Sequence, residues 1–139
     1  MAVPTITSAQ IAEALRILIN GQYSTCSSVP ILAEYPSDPT KTRSGIYISD
    51  VTTIDRSPYS LAVNYGGNIY IATDSFDIIY ISFQGDNLTE TIVSAIQSLV
   101  YDNVLFDGYH ERDYVTTFTF ENRGEIKTIT FNLKRIDFQ

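Results

Sequence analysis

The stretch SFDIIYISFQGDNLTETIVSAIQSLVYD, Ser75 to Asp102, decides the fold. Its first part, Phe76 to Phe83, is built from Phe, Ile and Tyr, with Asp77 and Ser82 as the polar residues. β-Branched and aromatic side chains at this density suit a pleated, packed surface. Apolar residues occupy both alternating sets: Phe76, Ile78 and Tyr80 on one, Ile79, Ile81 and Phe83 on the other. A strand covered on both faces has this pattern. In this reading one face meets a helix and the other is available to a second subunit. Gly85, Asp86 and Asn87 break the strand. Asn87 fits an N-cap, and Glu90, three residues on, fits a capping box. Leu88, Ile92, Ala95, Ile96 and Leu99 then follow at helical spacing, which predicts a helix over 88–101.

On the N-terminal side, Thr7 and Gln10 form a second capping box, and Ile6 with Ile11 suits a hydrophobic staple. Ile11, Leu15, Leu18 and Ile19 make an apolar stripe, so a helix is expected over 7–20 with Gly21 at its C′ position. Strands are expected at about 30–35, 45–51, 59–65, 68–73 and 76–84. Gly66-Gly67 marks a tight hairpin, Thr52 to Pro58 reads as a connection, and Asp74-Ser75 reads as a short turn. Residues 103–113 show no clear period. Two C-terminal strands are expected over 114–121 and 126–138, with a turn at Asn122 to Glu125. The order of elements implies a single α+β domain spanning 1–139. It has two layers: a mostly antiparallel sheet with two helices packed on one face.

A chain of 139 residues, 44% apolar, buries a core without staples. Ten Tyr and seven Phe with no Trp is an uneven aromatic set that fits either sheet packing or subunit interfaces. The net charge of −7, with no basic cluster beyond Lys134-Arg135, argues against nucleic-acid binding. Cys26 stands alone, so no intrachain disulfide is expected. MAVPTITSAQ lacks the basic and apolar regions of a signal peptide, and no run suits a membrane span. A cytoplasmic protein, or one assembled in a cytoplasm, is expected.

Chemical motifs are sparse. Tyr109-His110-Glu111-Arg112-Asp113 is the best candidate, because a His beside two carboxylates can ligate a metal or shuttle a proton. It lacks a second His and any familiar ligand spacing, so an exposed polar loop is the plainer reading. A Cys26–His110 nucleophile pair would need the fold to join them. Neither a catalytic residue, a metal nor a cofactor is therefore expected. The polar segment Pro36, Ser37, Asp38, Pro39, Thr40, Lys41, Thr42 and Arg43 lies between two expected strands and exceeds what a hairpin needs. It is the candidate interaction arm.

The layout of the chain resembles the tail terminator, or tail-to-head joining, proteins of long-tailed bacteriophages. The resemblance rests on the capped helix TSAQIAEALRILIN, the segments VPILAEYPSDPTKTR and GIYISDV, and the hairpin around NYGGN. It extends through FDIIYISFQGDNLTETIVSAIQSL and the closing TFNLKRIDF. It is a likeness of layout over most of the chain, without a signature motif. It implies a homo-oligomeric ring, a hexamer, that caps the tail tube, ends its polymerisation and offers a docking surface to the head. The implied partners are the tube protein and neck or connector proteins, and the implied place is the virion tail or neck. No catalytic residues come with it. Other neck, connector or baseplate proteins share such a layout, and a small ligand-binding or enzymatic α+β domain is the reading from a different class.

Overall fold

The computed structural model describes residues 4–32, 44–58, 69–82, 88–121 and 124–138. The fold is α+β, with helices α1 (Ser8–Gly21) and α2 (Thr89–Asp102) against a six-stranded sheet. The strands are β1 (Ile31–Leu32), β2 (Gly45–Ile48), β3 (Thr52–Pro58), β4 (Ile69–Ser82), β5 (Tyr109–Glu121) and β6 (Gly124–Phe138). They lie in the order β1-β2-β4-β6-β5, with β3 also paired to β4. Among the described residues only β1 and β2 run parallel; the other described pairs are antiparallel.

β4 is the axis of the sheet. β6 follows one side of it from Ile69–Phe138 to Ser82–Glu125. The other side is shared: β2 takes Ile78 to Ile81, and β3 takes Tyr70 to Ser75. The break between β2 and β3 is sealed by Ser49. Its N–H donates to the Asp77 carbonyl at 2.9 Å, and its Oγ accepts from the Asp77 N–H at 2.8 Å.

Opposed residues in an antiparallel ladder share a face. Phe76 opposes Phe131 and Ile78 opposes Ile129, while Ile46 and Ile48 oppose Tyr80 and Ile78. These side chains are buried with Ile11, Leu15, Ile92, Ile96 and Leu99 of the helices in one core. Both helices thus cover the same face, as the two periodicities require. Phe76 stacks on Phe131 at 5.2 Å and on Phe106 at 6.2 Å between ring centroids. The other face of the sheet is only half covered: Ile69, Ile71 and Ile79 are intermediate in exposure, and Val115 and Ile136 are exposed.

Several elements differ from expectation. The capping box at Thr7 and Gln10 forms, with the helix starting one residue later. Gly21 remains within α1. Gln22 is the C-cap in a right-handed conformation, and the chain runs on into a short 3₁₀ turn at Ser24–Cys26, so the left-handed end expected at Gly21 is not used. Residues 52–58 are an edge strand, not a connection; their polar side chains are those of an edge facing water. No turn exists at Asp74-Ser75: β4 runs unbroken, because Asp74 has buried partners within the sheet. β5 begins at Tyr109, five residues before the expected start. β2 ends at Ile48 rather than at 51. α2 starts at Thr89 with Leu88 at its N-cap position and no side-chain cap, so the cap expected at Asn87 is not used. The strand expected over 59–65, the Gly66-Gly67 hairpin and residues 83–84 lie outside the described residues, as do 33–35 of the strand expected at 30–35.

Candidate functional site

The helices stop short of one end of the sheet. There the helix-side face carries polar residues where the core would otherwise continue. Following the ladder past Phe76 and Phe131, that face presents Asp74, Ala72 and Tyr70 on β4, and Leu133, Arg135 and Asp137 on β6. β3 adds Thr53 and Arg56, and β5 adds Tyr109 opposite Arg135.

Asp74 is the hub, with its side chain fully buried. Arg135 Nε donates to its Oδ2 at 2.8 Å, and Nη2 to its Oδ1 at 3.4 Å. Tyr109 donates its hydroxyl to Oδ2 at 2.5 Å, and Thr53 donates to Oδ1 at 2.7 Å. Thr5, ahead of α1, donates to the Tyr109 hydroxyl at 3.3 Å. A second pair lies beside the first. Arg56 Nε donates to Asp137 Oδ2 at 2.8 Å, and Arg135 Nη1 lies 3.4 Å from Asp137 Oδ1. The Arg56 guanidinium also sits over the Tyr70 ring, 3.7 Å from its centroid, in a cation–π contact. Its Nη2 is buried and has no hydrogen-bond partner.

Two carboxylates and two guanidiniums thus neutralise one another, which is the condition for keeping charge inside a fold. The titration behaviour follows. Burial raises the Tyr109 pKa, and its hydrogen bond to Asp74 raises it further, so the phenol is held protonated. For Arg135, burial favours the neutral form, but the hydrogen bond and charge of Asp74, with Asp137, outweigh it and leave the pKa raised. The hydrogen bond from Arg56 lowers the Asp137 pKa against the opposing effect of its desolvation. Every hydrogen-bonding role of Asp74 serves an internal partner. The cluster therefore acts as a clamp joining four strands and the N-terminal segment. Beside it is an open depression of about 570 Å³, lined by Pro4 and Val51 to Arg56.

The candidate segment Tyr109 to Asp113 lies on β5, not in a loop, and its members do not converge. Tyr109 points into the clamp, His110 is exposed at a bulge between Tyr109 and Glu111, and Glu111 pairs with Lys134 at 3.7 Å. Arg112 has a structural role. Its Nη1 donates to the carbonyls of Val100 and Tyr101, each at 2.9 Å, and its Nη2 to Phe106 at 2.8 Å. Its Nε donates to the Tyr109 carbonyl at 3.3 Å. A cation at the C-terminus of α2 satisfies carbonyls that the helix leaves open and complements its dipole. Tyr101 returns a hydrogen bond to the Arg112 carbonyl at 2.9 Å and packs edge-on against Tyr114.

Cys26 is buried in the core beneath α1, while His110 is exposed on β5, so the two do not form a site. Among the described residues no group of three or more His, Cys, Asp and Glu is placed to hold a metal ion. Nor is any described helix long and apolar enough to cross a membrane. The candidate arm, Pro36 to Arg43, lies outside the described residues. No known protein family matches the sequence, and no curated protein matches it.

Sequence reasoning missed the clamp. Its available signal was Arg135 and Asp137, two charges at a spacing of two that continue the alternating set Ile129, Phe131 and Leu133. That spacing puts both on one face, where the pattern of Ile129, Phe131 and Leu133 already marks burial.

Proposed function

We propose that this protein is a structural subunit of a homo-oligomeric ring. In the form that its layout supports best, the ring caps a phage tail tube, stops its growth and presents a surface to the head. The observation that supports assembly is the sheet face away from the helices. Ile69, Ile71 and Ile79 remain half exposed there, and Ile136 is 47% exposed. Ile69, Ile71 and Ile136 group at one end of this face, apart from Ile79 beyond Thr73, Ser75 and Asp77, and an apolar group left at a surface offers a place for another protein to sit. A head-to-tail contact from such a face closes into a ring when the rotation between subunits permits. The buried clamp supports the same reading, because it stiffens the sheet end without offering a free acid, base or nucleophile. A neck or baseplate ring is the neighbouring reading, separated by which partner the ring binds.

Native mass measurement and particle imaging of the purified protein test the proposal. The expected result is a particle built on rings of six 15.6 kDa subunits, which co-sediments with tail tubes and halts their elongation. A protein that remains monomeric up to its solubility limit overturns it.

A further inference from the structure

We infer that the outer edge of β5, from Tyr114 to Thr119, pairs antiparallel with the same edge of a second copy of this chain. β5 ends the strand order and pairs with β6 alone among the described residues. From Asp113 to Thr119 every residue is exposed, on both faces of the strand. Val115 is 60% exposed. The segment YVTTFTF, Tyr114 to Phe120, has no charge, proline or glycine. Proteins usually blunt such an edge with Lys, Pro or a bulge, because its open N–H and C=O groups recruit other strands.

The opposite side of the sheet shows what blunting looks like. β3 has a register shift between Thr53 and Asp55, carries Asp55 and Arg56, and ends at Pro58, which has no N–H to donate. β1 has only two residues. Of these edges, β5 alone offers a long run that can take a strand without desolvating charge. Two copies of a chain of net charge −7 repel one another across their charged surfaces, so a contact between them is favoured where neither brings charge. The edge of β5 itself meets that requirement.

Charge also permits such a pairing. Centred on Val115, an antiparallel pair places Glu111 opposite Thr119 and Asp113 opposite Thr117, so no acid faces an acid. Like charges directly opposed destabilise a strand pair. The contact is isologous, with each β5 serving as both donor and acceptor. It is independent of the ring reading, which needs a head-to-tail contact through other surfaces.

Two sets of full-length variants test the inference. Val115→Lys with Thr117→Lys puts cations on two exposed positions and leaves the core untouched. Its expected effect is loss of the pairwise contact, with the native mass falling by half and an unchanged far-UV spectrum. Val115→Cys is expected to form a self-linked disulfide under mild oxidation, while Thr119→Cys is not. A ring whose mass the lysines leave unchanged overturns the β5 inference and leaves the ring standing. A dimer that the lysines split supports the β5 inference and removes the ring. A wild-type protein that is monomeric throughout overturns both.

Discussion

Arg135 stands opposite Ala72 in the β4–β6 ladder, yet its guanidinium closes on Asp74, two residues along the strand. The ion pair is a diagonal one. Diagonal neighbours on one sheet face lie about 7–8 Å apart at Cα, within reach of a long side chain. The diagonal leaves the position beside Asp74 to Leu133, which is fully buried and extends the apolar core up to the edge of the clamp.

Removing one member of this pair leaves the other buried and uncompensated. Asp74→Leu is expected to cost about 3–5 kcal/mol, measured by urea unfolding. The double variant Asp74→Leu with Arg135→Met should recover much of that loss. If the double variant is as unstable as the sum of the two singles, the two side chains do not act as a pair.

Tyr109 links the stability of the fold to pH on the alkaline side. Its folded pKa is raised above the unfolded value of about 10 by burial and by Asp74. The folded state therefore holds this proton more tightly than the unfolded chain. The resulting stability is fully present below pH 10 and is lost as pH rises through the folded value. Tyr109→Phe should be less stable at neutral pH, because Asp74 loses a donor, and should lose less stability on going from pH 9 to 11. Parallel urea titrations at these pH values check the difference.

Asp137 works in the opposite direction. Its pKa is lowered by the hydrogen bond from Arg56. Its contribution is present above the unfolded carboxylate range and disappears as pH falls through the folded value. The gap in melting temperature between the wild type and Asp137→Asn should be open at pH 6 and closed in strong acid. A gap independent of pH would separate Asp137 from acid stability.

Arg112→Ala removes the donor shared by the carbonyls of Val100, Tyr101 and Phe106. A loss of about 2–3 kcal/mol is expected. Arg112→Lys should rescue little, because an ammonium cannot present the flat fork of donors. His110→Ala, at an exposed position on the same strand, should change stability by less than about 0.5 kcal/mol. Calorimetric melting of the three variants decides between a helix-capping role for Arg112 and a passive one.

Ile96 is fully buried mid-helix, and Ser94 is exposed on the same helix. Ile96→Asp leaves an unpaired charge in the core and should unfold the subunit, while Ser94→Asp should be tolerated. Equal far-UV spectra and melting curves for the two would contradict the assigned face of α2.

The helices and the apolar strand surfaces were legible because their signals are local. Thr7 and Gln10 cap their own helix, and the stripe from Ile92 to Leu99 repeats at the helical period. The parts that were not legible depend on partners distant in the chain. Asp74 reads as a turn residue until Arg135 and Thr53 are placed beside it, and Arg112 reads as loop polarity until the end of α2 arrives over it. Thr52 to Pro58 lacks the apolar alternation of a covered strand because both of its faces meet water over most of its length. A polar edge strand and a polar loop have nearly the same composition, and only the neighbouring β4 separates them.

The long β4–β6 ladder also governs the order of folding. Its near end joins Ser82 to Glu125 and its far end joins Ile69 to Phe138. These are non-local pairings, and the entropy of closing such loops is lost before the contacts return anything. β3 and β4 can meet early, but the helix-facing side of β4 waits for β6 to supply Ile129, Phe131 and Leu133. During that interval the uncharged β5 segment is displayed by chains whose cores are unfinished. Refolding yield should therefore fall steeply with protein concentration, since an encounter between two unfinished chains competes with closure within one.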